Sequence, residues 1–171
     1  NTEIKGWLDL SINEDKANIA KAAIAHANSG GGYIIIGFKE VDGTYLVDEP
    51  IPETLIQYNQ DDINAIINKY AEPPFHCDVN FIVNPDNQKS FPVITIPGNL
   101  RVPIKSKRHG PNGKHLKENA YYIRRPGPKS EPPQSGKEWD DLIGRCVRAA
   151  KDELLDDFRS ILFGVGQISN Q

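Results

Sequence analysis

One stretch of the chain, residues 17–38, constrains the fold more than any other. Apolar side chains recur there at steps of three and four residues, the spacing of one helix face: Ile19, Ala23, Ile24 and Ala27. Three glycines follow at positions 30–32, and glycine adopts the positive φ that a helix end and a sharp reversal often require. The apolar run over residues 33–38 is typical of a buried strand. The stretch therefore predicts a helix, a tight turn and a central strand covered on both faces.

The glycine run invites comparison with phosphate-binding loops, but the order of the elements is inverted. In such a loop a strand leads through glycines into a helix, so that free N–H groups at the helix N-terminus meet the anion. Here the helix comes first, its negative dipole end faces the turn, and no Gly-Lys-Ser or Gly-Lys-Thr follows. The glycines are therefore predicted to make a tight turn, and a nucleotide-phosphate site at this turn is disfavoured.

Charge is divided unevenly along the chain. Residues 101–129 carry nine Lys or Arg, two His and a single acid, whereas the rest of the chain carries eleven Lys or Arg and twenty-two acids. The overall charge of −3 hides this division. A strongly basic segment in an otherwise acidic protein indicates an anionic partner.

Length, hydropathy and cysteine content bear on organisation and location. The 171 residues suffice for one domain with a core, and no run of eighteen apolar residues occurs, so no membrane span is predicted. Cys77 and Cys146 stand far apart with no second cysteine nearby, which excludes a zinc ribbon and favours reduced, packed thiols in a cytoplasmic protein. Because the sequence begins at Asn1 without an initiator methionine or leader, we expect it to be either a processed protein or part of a longer, multidomain chain.

Hydrophobic patterning predicts further elements on either side of this stretch. Asp42-Gly43 is a hairpin signal between two strands. One more helix and several strands follow from periodicity and from the positions of Pro and Asn: a helix over 61–71 and strands over 3–10, 44–47, 76–83 and 91–96.

The basic segment, residues 101–129, is predicted to be mostly a mobile surface loop with one strand over 120–125. Lys and Arg in such a loop contact phosphates, and a tyrosine beside arginines offers a stacking surface for bases. The residues predicted to bind nucleic acid are Lys105, Lys107, Arg108, Lys114, Lys117, Tyr122, Arg124 and Arg125. The alternative interpretation is a solvated loop in which one tyrosine of the pair is buried.

The C-terminal part is predicted to be a long helix over residues 137–163, ended by Gly164. Its apolar side chains form a narrow stripe that continues for more than three heptads. Such a stripe packs either on the core of its own chain or on a second copy. We therefore divide the chain into a core of residues 1–133 and a C-terminal helix within residues 134–171.

Three motifs, in this order, resemble the Schlafen AlbA_2 family: the helix-glycine-strand segment over 25–38, Tyr-Tyr-Ile-Arg-Arg over 121–125, and Glu-Trp-Asp-Asp-Leu-Ile over 138–143. The resemblance implies an α+β fold related to the Alba nucleic-acid-binding fold, with a mixed sheet, two packing helices and the long C-terminal helix. It also implies a DNA-binding domain, often attached to ATPase-like, helicase or winged-helix regions. In the Schlafen members of the family, the same core is an RNA endonuclease with three carboxylates and a divalent metal ion.

The resemblance also implies a candidate catalytic and metal-binding trio. Carried over residue by residue, the nuclease motif falls on Glu3, Asp9 and Glu40. The sequence departs from that motif, since the Glu3 to Asp9 spacing is one residue longer, Leu10-Ser11 replaces a Phe-Lys pair, and Glu40 stands where Asp is usual. Carboxylate oxygens are the ligands that Mg²⁺ and Mn²⁺ prefer, and such an ion would activate water and stabilise the leaving oxygen. The alternative is that these acids are solvated.

Three functions remain open at this point. The favoured one is a nucleic-acid-binding domain that contacts the phosphate backbone of DNA or RNA and needs no cofactor. The second is an endoribonuclease that depends on Mg²⁺ or Mn²⁺ and uses the carboxylate trio. The third is an assembly domain in which the C-terminal helix pairs two copies into a homodimer.

Overall fold

A computed structural model describes residues 1–127 and 129–168 of the chain. In these residues the α-helices are α1 (Asn13–Asn28), α2 (Gln60–Tyr70) and α3 (Gly136–Ile168). The strands are β1 (Thr2–Lys5), β2 (Gly32–Ile36), β3 (Phe38–Val41), β4 (Thr44–Val47), β5 (Ala71–Glu72), β6 (Asp78–Val83), β7 (Ser90–Ile96), β8 (Lys105–Ser106), β9 (Ile123–Arg125) and β10 (Lys129–Glu131). Short 3-10 helices occur at Ile56–Tyr58 and Pro111–Gly113.

The core is a four-stranded mixed sheet in the order β1-β2-β7-β6. Strand β1 pairs with β2 in parallel, whereas the other two pairings are antiparallel. Alternate residues of β2 and β7 point to one face, where Ile34, Ile36 and Ile94 are buried together with Ile19 and Ile24 of α1. Helix α2 packs on α1 and β6, so both helices cover the same side. The α+β class with two packing helices is confirmed.

The predicted glycine turn is confirmed, and it brings two backbone segments into contact. Helix α1 ends at Asn28, after which the N–H of Gly31 donates to the carbonyl of His26 at 2.8 Å. Gly31 has a φ of +81°, and a Cβ at this residue would lie 2.7 Å from the Ile96 carbonyl oxygen. A Cβ at Gly98 would collide with the carbonyl of Gly30. The turn therefore requires glycine for its conformation and for this close approach.

The expectation that both faces of the central strand are covered is wrong. Gly37, with a φ of +103°, ends β2, and the β3–β4 hairpin leaves the sheet instead of extending it. Tyr33 on the second face is half exposed. A cleft of about 250 Å³ opens on this face, lined by Ile4, Ile35, Phe38, Tyr45, Ile82 and Phe91.

Two element boundaries also differ from the sequence-based expectations. The predicted strand over residues 3–10 ends at Lys5. The chain then turns, because the Trp7 indole donates to the Asp48 carbonyl at 2.7 Å and the Trp7 backbone N–H donates to the Asp48 carboxylate at 3.1 Å. At the other end of the chain, α3 continues past Gly164, which was expected to end it.

Helix α3 packs on the core through its first three turns, and a surface ion pair further along joins Glu153 Oε2 to Arg101 Nε at 3.2 Å. Leu142 and Cys146 are buried, and the Arg145 guanidinium donates to the Asn28 carbonyl at 3.1 Å. The ring of Trp139 meets that of Tyr121 edge-on, with centroids 5.4 Å apart. From residue 151 to residue 163 every side chain is exposed. None of the described helices has both the length and the apolar content required to cross a membrane.

Candidate nucleic-acid interface

The two arginines predicted to bind nucleic acid, Arg124 and Arg125, are occupied by carboxylates of the domain itself. Arg124 Nη1 lies 2.7 Å from Glu3 Oε2 and its side chain is 9% exposed. Arg125 lies 3.0 Å from a Glu131 oxygen and 2.8 Å from a Glu138 oxygen. The structure therefore places both guanidinium groups where they join β9 to β1, β10 and α3.

Tyr122, predicted as a stacking residue, is buried. Its hydroxyl accepts a hydrogen bond from the Lys117 backbone N–H at 2.8 Å, and burial raises the pKa of its phenol. Its ring lies beneath Lys21, whose Nζ is 5.4 Å from the ring centroid. Tyr121 packs against Trp139 instead. The structure therefore agrees with the alternative interpretation, in which one tyrosine of the pair is buried. Because Tyr122 is buried, its ring has no free face on which a base could stack.

The other five cations predicted to bind nucleic acid lie at the surface. Lys105 donates to the Asn119 side chain at 2.9 Å, and Lys114 Nζ lies 3.2 Å from Glu14 Oε1. The other three are exposed and take part in no ion pair with any residue that the structure describes: Lys107, Arg108 and Lys117.

The basic segment is a surface loop, as predicted, and hydrogen bonds and buried side chains hold it to the core. Ile104 and Leu116 are buried. The N–H of Ser106 donates to the Ala120 carbonyl at 2.8 Å, and the N–H of Lys107 donates to the Tyr70 carbonyl at 2.7 Å. At the base of the segment, the side chain of Asn28 donates to the carbonyls of residues 104 and 122 and accepts from the N–H of residue 104. The exposed cations therefore project from a fixed backbone.

A polar groove lies between the basic segment and α1, and sequence reasoning missed it. Two adjoining cavities of about 180 and 320 Å³ share Lys21, His115 and Ser130. We call this space the α1 groove; among its lining residues are Glu3, Lys5, Asn18, Lys21, His115, Lys117, Ser130 and Glu131. Asn18 and Lys21 are three residues apart and therefore share one face of α1, but no local pattern indicates that the basic segment covers this face.

The α1 groove carries charges of both signs, with Lys5, Lys21 and Lys117 beside the carboxylates of Glu3 and Glu131. Lys5 Nζ is held by Asn18 Oδ1 and by Glu3 Oε1, each at 2.8 Å. Burial lowers the pKa of Lys21, an effect that Glu131 opposes and Lys5 reinforces. An anionic group placed in the groove would favour the charged form of Lys21, because an opposite charge within a few ångströms stabilises the ammonium.

The three candidate metal ligands are not brought together. Glu3 lies in β1 and faces α1, whereas Asp9 lies in the exposed chain after β1, where its carboxylate accepts from the N–H and hydroxyl of Ser11 at 2.9 and 2.7 Å. Glu40 is exposed in the β3–β4 hairpin, opposite Tyr45. Among the described residues, no three or more His, Cys, Asp or Glu side chains form a group that could hold a metal ion.

Glu3 itself is surrounded by cations. Burial alone would raise the pKa of its carboxyl, but the adjacent His26 ring and the charges of Lys5 and Arg124 outweigh burial and hold the pKa at about 2. His26 Nε2 lies 3.5 Å from Glu3 Oε2, and neither ring nitrogen of this buried histidine has a hydrogen-bond partner within the described residues. A carboxylate already neutralised by an ammonium and a guanidinium does not fit Mg²⁺ or Mn²⁺, since both would repel the ion.

The mixed sheet with two helices on one face defines an α+β domain that carries a basic segment on its surface. Residues 1–133 match the family model described as Schlafen, AlbA_2, and the chain belongs to this family. The resemblance drawn from the three sequence motifs is thereby confirmed. No curated protein sequence matches the chain.

Among the solved structures similar to the chain are a protein from Corynebacterium diphtheriae and a domain from Nitrosomonas europaea. The DIP2311 protein from Corynebacterium diphtheriae superposes with a TM-score of 0.55 at 14% identity, over 84% of this chain and 24% of that protein. The N-terminal domain of a RecG-related protein from Nitrosomonas europaea gives a TM-score of 0.44 at 17% identity, over 78% of this chain and 88% of that domain. The similarity to the DIP2311 protein shows only that the two proteins share a fold. This chain spans about a quarter of the length of the DIP2311 protein.

Proposed function

We propose that this domain binds DNA or RNA by its phosphate backbone, through the basic segment and the α1 groove. The observation that carries the proposal is the set of three exposed cations, Lys107, Arg108 and Lys117, which project from a fixed backbone and lack ion-pair partners among the described residues. Cations presented in this way contact phosphate without first breaking an ion pair or ordering a loop. Membership of the Schlafen AlbA_2 family supports the same function.

The two parts of the proposed surface meet at the start of α1. Lys114 and His115 approach the Glu14 carboxylate at 3.2 and 3.6 Å, and His115 also lines the α1 groove. A phosphate backbone that follows α1 would therefore pass from the outer part of the basic segment to Lys21 and Lys5. Contact with about five phosphates of a duplex gives a slope of about −4.5 for log affinity against log salt.

The proposed surface has little capacity to read sequence. Phosphate contacts fix the position of a nucleic acid but do not distinguish one base from another, and the buried ring of Tyr122 offers no stacking face. We therefore expect similar affinities for unrelated sequences of the same length, with no cofactor required.

Charge reversal tests the proposal. Fluorescence anisotropy with a labelled duplex DNA and a labelled single-stranded RNA, at 50 to 200 mM salt, gives the affinity and its salt slope. The double variant Lys107→Glu/Arg108→Glu is expected to weaken binding at least tenfold and to flatten the slope. The control Lys39→Glu/Lys89→Glu makes the same change in net charge on the hairpin and the β6–β7 turn, and should bind almost as the wild type does. Unchanged binding by the first variant would refute the proposal.

The alternative function, an endoribonuclease dependent on Mg²⁺ or Mn²⁺, is tested in the same reactions. No observation favours it, because the carboxylates Glu3, Asp9 and Glu40 are apart and Glu3 is ion-paired. Labelled RNA incubated with Mn²⁺ or with EDTA is expected to be retarded on a gel and left intact in both. Cleavage that requires Mn²⁺ and is lost in Glu40→Ala would replace the binding proposal with the enzymatic one.

A further inference from the structure

From Val147 onward, α3 presents an apolar stripe that is not covered by any residue the structure describes. Val147, Leu154, Phe158 and Ile161 are each between 55% and 61% exposed, and they recur at the spacing of one helix face. This stripe is distinct from the row formed by Leu142 and Cys146, which packs on the core. An uncovered stripe of this kind marks an interaction surface.

The spacing of the stripe has a symmetry that points to one particular partner. Counting outward from Leu154, the next stripe residues lie four positions away on each side, Ala150 and Phe158, and then seven positions away, Val147 and Ile161. Two identical helices that run antiparallel and cross at Leu154 would therefore place each of these five residues opposite one of the same five in the other copy.

Side-chain sizes match in the same arrangement. The smallest residue of the stripe, Ala150, would face the largest, Phe158, and two β-branched residues, Val147 and Ile161, would face each other. Alternation of small and large side chains across an interface fills space at the density of a protein interior. A parallel pair would instead set Phe158 against Phe158 and Ala150 against Ala150, which crowds one level and leaves a void at the other.

We propose that the stripe on α3 is the interface of a homodimer in which the α3 helices of two copies pair antiparallel about Leu154. The first turns of α3 are fixed to the core by Leu142, Cys146 and Arg145, so pairing of the helices sets the relative position of the two domains. The stripe is separate from the basic segment and the α1 groove, and this inference does not depend on the proposed function.

The mass of the protein in solution tests the existence of the dimer. Sedimentation of the wild-type chain at micromolar concentrations is expected to give twice the 19.1 kDa of one chain. Phe158→Glu should sediment as a single chain, and its near-ultraviolet circular dichroism should match that of the wild type, which shows that the core is intact. The control Ile82→Glu, which places the same charge on the open face of the sheet, should remain a dimer. A single chain in the wild type, or a dimer lost in Ile82→Glu and kept in Phe158→Glu, would overturn the proposal.

Disulfide cross-linking tests the orientation. The double variant Val147→Cys/Ile161→Cys is expected to form a covalent dimer under mild oxidation, since each new thiol faces the other type across the antiparallel pair. Neither single variant should cross-link to itself, and the native thiols of Cys77 and Cys146 are buried. Efficient cross-linking of each single variant would show a parallel pair and would refute the antiparallel arrangement.

Discussion

Replacement of Glu3 by Gln tests how the ion-pair cluster between β1 and β9 stabilises the domain. The change keeps the shape of the side chain but removes the negative charge that pairs with Lys5 and Arg124. The pKa of the Glu3 carboxyl falls from 4.5 to about 2 on folding. At about 1.4 kcal/mol for each unit, this corresponds to about 3 kcal/mol of unfolding free energy at pH 7.

The direction of the pKa shift determines how the stabilisation by Glu3 changes with pH. Because the pKa is lowered on folding, the stabilisation is fully present above pH 4.5 and is lost as the pH falls from 4.5 through about 2. Urea unfolding, followed by the fluorescence of Trp7 and Trp139, measures the free energy of both proteins at several pH values. We expect Glu3→Gln to lose about 2–3 kcal/mol at pH 7 and less than half of that at pH 3.

The matched control for this experiment is Glu40→Gln, the same substitution at an exposed strand position. It should change the unfolding free energy by less than about 0.5 kcal/mol at every pH. A loss in Glu3→Gln that does not vary with pH would mean that packing, not charge, is responsible. No loss at pH 7 would refute the stabilising role of the cluster.

Two further predictions concern backbone packing. Gly98→Ala should lower the unfolding free energy by about 1–3 kcal/mol, because its Cβ collides with the carbonyl of Gly30 and the turn has no room to relax. Asn28→Ala should cost about 2–4 kcal/mol, because it leaves buried backbone groups of Ile104 and Tyr122 without hydrogen-bond partners. Urea unfolding measures both effects.

Each of these variants has a control of the same chemistry. Gly136→Ala adds a methyl group where no atom lies within 4 Å, and Asn80→Ala removes an amide from an exposed strand position. Both should unfold close to the wild type. If a control were as unstable as its paired variant, the loss would not arise from the Gly98 contact or from the Asn28 hydrogen bonds.

The parts of the fold that depend on local chemistry could be predicted from the sequence. Helix α1, the glycine turn, the hairpin at Asp42-Gly43 and helix α2 each follow from spacing or from the conformational freedom of glycine. The end of β1 could not, because it depends on hydrogen bonds between Trp7 and Asp48, which are far apart in sequence. The open face of the sheet was missed because an apolar run does not show how many of its faces are covered.

The candidate interface was predicted only in part, because several of its contacts join residues that are far apart in the sequence. That the basic segment is at the surface follows from its composition, and the exposure of Lys107, Arg108 and Lys117 agrees with this. The partner of Arg124 is Glu3, 121 positions earlier in the chain, and no local pattern indicates such a pairing. The α1 groove exists only because the basic segment folds back over α1, so Lys21 could not be singled out from sequence.

The hydrogen bonds of Asn28 have a consequence for engineering. One side chain of α1 holds both ends of the segment between residues 104 and 122, so the outer residues 107–115 form a cassette on a fixed base. The entropic cost of closing a loop grows by only about 0.6 kcal/mol for each doubling of the loop's length. Exchange or lengthening of that cassette should therefore leave the helix-and-sheet scaffold folded, and new ligand preferences could be grafted onto the domain without redesign of its core.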